Sequence, residues 1–231
     1  MSDPSYSVLR FGTEQHPVVV IDDYSPEFDR IVAALRTIPY GYAGPHYPGL
    51  RAPMRPDYLN SRAALLRDIL SNVFDAPAIE IVECSASIVT TQPGDLTPIQ
   101  RLPHFDTPDR NRLALLHYCC GEDSGGTSFY RHRETGYEAI SEDRTSAYSA
   151  AIKDEADKSG LPPARYMAGS TDQFERIGQI EARPNRMAIY RSMCLHSGDI
   201  PIKQSLAPDP ETARLTINTF VQARPAAGDA P

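Results

Sequence analysis

No apolar run in this 231-residue sequence approaches the roughly 20 residues needed to cross a bilayer, so no membrane-spanning helix is expected. The opening stretch, MSDPSYSVLRFGTEQHP, lacks the basic-then-apolar layout of a secretory signal. There is no internal repeat and no long low-complexity segment. Positive charge is not in excess: 23 Lys and Arg stand against 30 Asp and Glu, a formal net charge of −7. Such a chain has no broad electrostatic grip on nucleic acid or on an anionic membrane, although a local basic pocket for a small anion stays open. The four cysteines, Cys84, Cys119, Cys120 and Cys194, show no CxxC spacing and give no support for a thiolate metal site. They fit reduced thiols in a cytoplasmic protein. Cys119 and Cys120, being adjacent, are expected to point to opposite faces of a strand.

What is present fits one single-core domain. Hydrophobic residues make up 41% and charged residues 23%, and the 21 prolines and 14 glycines are spread along the chain in the manner of many turns between short strands. Val18–Ile21 is a β-branched run that reads as an early strand. Ser25-Pro26-Glu27 then forms a helix entry, with Ser25 as N-cap and Phe28, Ile31, Val32 and Leu35 on one face. Residues 39–58, rich in Pro, Gly and Tyr, read as a long ordered loop, either a lid over a site or a packed surface loop. A second helix is expected over Ser61–Phe74, with Leu65, Leu66, Ile69, Leu70 and Val73 as its apolar stripe. After Pro77 the pattern turns to β: Ile79–Thr91, Arg112–Cys120, Thr127–His132, Gln173–Glu181, Arg186–Cys194 and Leu215–Gln222 are strand candidates. A polar-faced helix over 141–158 interrupts them. Helices followed by many short strands define an α+β chain with a sandwich or barrel core. The expected organisation is a single domain over 1–224, with helical support over 25–75, a β core over 79–222 and a flexible tail at 225–231.

The chemically informative stretch is His104-Phe105-Asp106. If it lies on a strand, residues two apart present an imidazole and a carboxylate on the same side. His196, in Cys194-Leu195-His196-Ser197-Gly198, closes a β-rich segment and is the candidate third ligand. Two histidines and one carboxylate leave three positions open on a six-coordinate metal, an arrangement that suits Fe(II) holding a bidentate co-substrate and O2 together.

The order of these motifs resembles the Fe(II)/2-oxoglutarate oxygenase superfamily, particularly its prolyl-hydroxylase-like branch. The resemblance runs from His104-Phe105-Asp106 through Arg112-Leu113-Ala114-Leu115-Leu116-His117-Tyr118 and Gly125-Gly126-Thr127-Ser128-Phe129 to His196-Ser197-Gly198 and Arg214-Leu215-Thr216-Ile217. HFD, GGTSFYRH, PNRMAIY and LHSG together look like an uncharacterised bacterial family within it. The resemblance implies a double-stranded β-helix (jelly-roll or cupin-like) core with flanking N-terminal helices. It implies iron ligation by His104, Asp106 and His196, with 2-oxoglutarate and O2 as co-substrates. It also implies a bidentate ion pair from Arg214 to the distal carboxylate of 2-oxoglutarate, helped by the Tyr118 hydroxyl. The His196–Arg214 interval is longer than in relatives, through an inserted loop at 203–210, and Lys203 in that loop is the alternative anchor.

The activity implied is oxidation of an unactivated C–H bond in a small molecule or an amino-acid side chain, free or within a peptide. A carboxylate at Asp106, where related halogenases have a small residue, implies hydroxylation. Two other readings stand beside it: a jelly-roll module that binds without catalysis, and a site for another metal such as Zn or Ni. No nucleic-acid or membrane partner is expected, and oligomeric state is not legible in one chain. Among the remaining polar residues, His117 is either a group beside the site or a satisfied strand histidine. His132 is either a functional group or a solvated strand end, Arg131 and Arg133 are contacts for an anionic substrate or paired surface arginines, and Arg191 either faces the cavity or forms a structural ion pair. Gly125-Gly126 reads as a tight turn needing positive φ.

Overall fold

The computed structural model describes residues 4–224; the expected flexible tail at 225–231 lies outside the described residues. In chain order the elements are β1 (Tyr6–Arg10), β2 (Pro17–Ile21), α1 (Phe28–Leu35), β3 (Gly41–Tyr42), β4 (Gly49–Pro53), α2 (Ala63–Phe74), β5 (Ala78–Val89), β6 (Arg112–Tyr118), β7 (Thr127–His132), α3 (Glu142–Ser159), β8 (Phe174–Ile180), β9 (Arg186–Arg191), β10 (His196–Gly198) and β11 (Leu215–Arg224). The strands form an eight-stranded sheet, ordered β1-β2-β9-β6-β11-β5-β4-β3, and a three-stranded sheet, ordered β10-β7-β8. Every strand ladder among the described residues is antiparallel.

The layers follow from side-chain alternation. Along β2 every residue is buried, because both faces of the large sheet are covered there, and a strand covered on both sides reads as a continuous apolar run. Val19 and Ile21 join Leu113, Leu115, Met187, Ile189, Leu215 and Ile217 on the outer face, under α1 and α2. Val18 and Val20 join Ala114, Leu116, Tyr118, Ala188 and Tyr190 on the inner face, against Phe129 and Ile180 of the small sheet. A third cluster, including Tyr130, Phe174 and Tyr148, seats α3 on the far side of the small sheet. Cys119 falls in the outer cluster and Cys120 in the inner one, as adjacent residues should. All four thiols are free and buried.

Several local expectations need correction. Residues 39–58 are not simply a loop, since Gly41–Tyr42 forms the two-residue edge of the large sheet and Gly49–Pro53 lies between it and β5, pairing with β5 along its length. Sequence alone gives little sign of them, because β3 is only two residues long and the Gly and Pro of β4 leave no apolar alternation to read. The Ser25 hydroxyl accepts the Glu27 N–H at 3.2 Å, but α1 begins only at Phe28, so Ser25 caps the turn before the helix. The helix expected from Ser61 begins at Ala63, after a 3-10 stretch over Pro56–Arg62, and Asp75 in the left-handed conformation stops it at Phe74. The strand expected over Arg186–Cys194 ends at Arg191, and residues 192–195 turn the chain toward β10.

Leu115 is fully buried between its sheet neighbours and the two helices. Leu115→Ala should lower the unfolding free energy by about 3 kcal/mol, seen as an earlier urea midpoint with an unchanged slope. A change within the error of the wild-type midpoint would mean that the helix layer packs elsewhere.

Candidate metal centre

His104, Asp106 and His196 converge at one point: one ligand atom from each lies within 4.8 Å of the other two. The His104 Nε2 to Asp106 Oδ1 and His196 Nε2 to Asp106 Oδ2 separations are both 3.9 Å. The imidazole rings of His104 and His196 stand 4.4 Å apart between centroids.

The backbone explains the convergence. His104 is not on a strand, contrary to expectation; it makes a single bridge to His196, the first residue of β10. That bridge is reciprocal, with the His104 N–H donating to the His196 carbonyl at 2.9 Å and the His196 N–H donating back at 2.8 Å. Two residues on, the Asp106 N–H donates to the Ser192 carbonyl at 2.8 Å. The turn between β9 and β10 therefore fixes all three residues. It also orients the His196 ring, whose Nδ1 lies 2.9 Å from the Cys194 carbonyl. A carbonyl can only accept, so Nδ1 carries the proton and Nε2 offers its lone pair to the centre. Tyr190 closes one side with its ring edge-on to His196 at 4.9 Å, backed by Phe129 at 5.2 Å from Tyr190.

The site is open yet deep. The His104 side chain is 48% accessible, but crowding by protein atoms is the main cause holding its imidazole pKa well below the ordinary value, with His196 adding to the effect. Desolvation likewise pushes the Asp106 carboxyl above its usual range, against the opposing pull of His196. Accessible side chains surrounded by protein describe a concave pocket, in which desolvation disfavours both the protonated imidazole and the ionised carboxylate and a bound cation would restore the charge balance.

Arg214, just before β11, is 5% accessible. Its Nη2 donates to the Gly126 carbonyl at 2.9 Å, and its guanidinium lies over the Tyr118 ring, 5.5 Å from the centroid. The buried Nε has no hydrogen-bond partner. A guanidinium left with a free buried donor is costly unless an anion completes it, so this chain's own residues fit a carboxylate there. The Tyr118 hydroxyl is 2.7 Å from Thr127 Oγ1, with either group able to donate. Lys203 is exposed in the loop after β10, far from the enclosure that Arg214 has. Gly125 has φ +73°, as a turn glycine should, while a Cβ on Gly126 would meet the Ile180 carbonyl at 1.8 Å. The pair thus brings the acceptor for Arg214 close against β8.

Two residues that carried no role in the sequence reading adjoin this region, Tyr47 and Arg51. The Tyr47 hydroxyl is buried without a hydrogen-bond partner in good geometry, near enough to Arg214, Arg51 and Ser87 to be influenced by each. Nothing in a Pro- and Gly-rich segment signals that one tyrosine turns inward. His117, by contrast, faces the outer layer, stacked on Tyr58 at 5.9 Å and edge-on to Tyr24 at 5.3 Å. Its Nε2 is 3.0 Å from Asn185 Oδ1, so it is a packed strand histidine. His132 pairs with Glu155 at 3.2 Å, and Arg131 with Glu138 and Glu175. Arg191 donates to the Arg110 and Phe74 carbonyls. All four are structural. An open groove of about 380 Å³ between α1 and residues 210–213 contains none of the converging residues.

Comparison with known proteins places this chain in a family: residues 2–221 match the model described as "Family of unknown function (DUF6445)", and the chain belongs to it. No curated protein matches. Among solved structures, it is similar to HygX from Streptomyces hygroscopicus with nickel and 2-oxoglutarate bound, at 13% identity and a TM-score of 0.48, over 93% of this chain and 85% of that one. It is also similar to AviO1 from Streptomyces viridochromogenes Tue57, at 14% identity and a TM-score of 0.45, over 99% and 94%. An N-substituted L-amino acid dioxygenase from Burkholderia ambifaria AMMD matches at 15% identity and a TM-score of 0.46, over 95% of each chain. No residue role is carried over from them.

Burial holds the His117 imidazole pKa at about 4, against an ordinary value of 6.5, with the Asn185 contact opposing. A depressed histidine pKa means that the unfolded chain takes up the proton first. Stability is therefore full above pH 6.5 and falls as the pH drops toward 4, by on the order of 3 kcal/mol from this residue. Urea unfolding of wild type and His117→Asn between pH 7 and pH 4.5 should show a steeper acid loss in the wild type. Parallel curves would refute the assignment.

Proposed function

We propose that the chain is a non-haem Fe(II)- and 2-oxoglutarate-dependent dioxygenase that hydroxylates an unactivated C–H bond of a small molecule or amino-acid side chain. The observation that carries this reading is the convergence of two imidazoles and one carboxylate at the mouth of a two-sheet sandwich. Their three donors, with positions left open, form the donor set of an oxygen-activating iron rather than of a closed structural zinc site. On this reading the two facing sheets are the halves of a double-stranded β-helix.

His104, Asp106 and His196 would hold the metal, with the Cys194 carbonyl keeping His196 in the required tautomer. Bound there, iron with 2-oxoglutarate and O2 supplies the oxidation of a C–H bond, 2-oxoglutarate leaving as succinate and CO2. Arg214 would receive the distal carboxylate, using the Nε that has no protein partner. Tyr47 offers that carboxylate a free hydroxyl, whereas Tyr118 supports the guanidinium through its ring face. Tyr190 and Phe129 keep water from the side of His196 that faces the inner core. Asp106 occupies the position of the third ligand with a carboxylate, which leaves no place for a halide and favours hydroxylation.

Anaerobic titration with Fe(II) and then 2-oxoglutarate should give a weak visible charge-transfer band. His196→Ala should abolish it, and Arg214→Gln should weaken 2-oxoglutarate binding roughly 10- to 100-fold while leaving metal affinity intact. Iron binding without any band in the wild type would end the oxygenase reading. Tyr47→Phe should weaken 2-oxoglutarate binding more than Tyr118→Phe does. The reverse order in a calorimetric titration would return the hydroxyl role to Tyr118.

A further inference from the structure

The inner face of the large sheet changes character across its width. Directly opposed residues in an antiparallel sheet share a face, so the register defines rows. One row runs Arg51, Ser87, Thr216, Tyr118 across β4, β5, β11 and β6. The next runs Ser85, Asn218, Leu116, Ala188, Val20, and a third runs Glu83, Phe220, Ala114, Tyr190, Val18. Toward β9 and β2 these rows are apolar and close on the small sheet. Toward β5 and β4 they are polar, and the Asn218 amide donates to the Ser87 hydroxyl at 2.8 Å. Ser85, Ser87 and Thr216 are buried, and the strip reaches solvent through the partly accessible Arg51, Asn218 and Phe220. Tyr190, in the third row, stands edge-on to His196 at 4.9 Å, which sets the metal centre beside these rows.

Arg51 is the cation of the strip. Its guanidinium lies over the Tyr47 ring, 4.4 Å from the centroid, a contact that holds a planar fork in one orientation. One end reaches Glu83, at 3.5 Å from Nη1. Its Nε is buried and has no partner. Arg214 repeats the pattern over the Tyr118 ring, again with an unmet buried Nε. The pocket thus contains two incomplete guanidinium groups, of which the distal carboxylate of 2-oxoglutarate can complete only one.

We infer that Arg51, laid across Tyr47, fixes the prime substrate, and that this substrate is a small, polar carboxylic acid. The inference rests on the oxygenase reading and names the substrate class of that same site. The carboxylate enters the Arg51 fork, while the polar body of the molecule meets Asn218, which Ser87 holds from behind. The other source of a carboxylate here is the metal-proximal end of 2-oxoglutarate, and the test separates the two.

Protein loaded with Ni(II) and N-oxalylglycine is screened by thermal shift against free L-amino acids and 2-hydroxy acids, each beside its primary amide. At least one acid should raise the melting temperature where its amide does not. Arg51→Gln should abolish that shift, a loss of at least about 10-fold in affinity; Arg51→Lys should keep part of it, and Tyr47→Phe, which retains the ring, should keep most. The 2-oxoglutarate affinity of Arg51→Gln, measured by calorimetry, should stay within about 2-fold of wild type. Circular dichroism of both Arg51 variants controls for folding. A 10-fold loss of 2-oxoglutarate affinity in Arg51→Gln would assign the fork to the co-substrate and overturn the substrate class. No acid preferred over its amide, or an acid shift that survives Arg51→Gln, would overturn the inference while leaving the oxygenase reading standing. Failure of the wild type to bind metal and 2-oxoglutarate would strike that reading, and this one with it.

Discussion

The site depends on two reciprocal backbone hydrogen bonds between His104 and His196, at 2.9 and 2.8 Å. They join an irregular segment to the first residue of a three-residue strand, across 92 positions of sequence. Without them the His104-Phe105-Asp106 segment has no ladder to hold it, and the imidazole of His196 faces an opening with no partners. Because a backbone bridge sets Cα separation and direction together, it delivers both imidazoles to the same point before any side chain chooses a rotamer. The Ser192 carbonyl extends the clamp to Asp106, and the Cys194 carbonyl sets the tautomer of His196. A single turn of four residues therefore carries most of the site's geometry, and its own rigidity comes from the apolar neighbours Leu195 and Cys194, both buried.

Around this clamp the large sheet divides its two faces between separate tasks. The outer face is apolar across its central strands and takes the helices; it supplies the burial that offsets the ordering of a long chain. The inner face is apolar only where the small sheet covers it and polar where it does not. Ser85, Ser87 and Thr216 in the polar rows are buried, and hydrogen bonds such as that from Asn218 to Ser87 offset part of their desolvation. Buried guanidinium donors are different: Arg51 and Arg214 each keep an Nε that solvent does not reach. Such groups are tolerated at places where stability has been given up for recognition.

Much of the fold was legible because burial imposes periodicity. The Val18–Ile21 run, the stripes of α1 and α2 and the strands after Pro77 all show in the pattern of apolar residues, and they lie within a few residues of where expected. The short strands β3 and β4 were not legible, since two residues carry no period and Gly and Pro interrupt the alternation of β4. The end of β9 at Arg191 was missed as well. The apolar run continues through Met193 to Leu195, and only the bridge to His104 and the pairing of Cys194 with Ala139 turn the chain away. In the site, His104, Asp106, His196 and Arg214 were identifiable because residue type and order carry chemical meaning. Tyr47 and Arg51 were not, because an inward-turned side chain in a Pro- and Gly-rich segment looks like its exposed neighbours.

By itself, then, the sequence indicated which residues could be ligands and where most of the central strands would run. Those are properties of residue type and local period. Tertiary structure alone decided that the ligands meet within 4.8 Å, that His117 faces the helices and that Tyr118 has its hydroxyl beside that of Thr127. It also decided that Arg51 shares a row with Ser87, Thr216 and Tyr118. The reason is register. One residue of slip along any of these ladders would send each side chain to the opposite face, and register is set by pairing between distant strands.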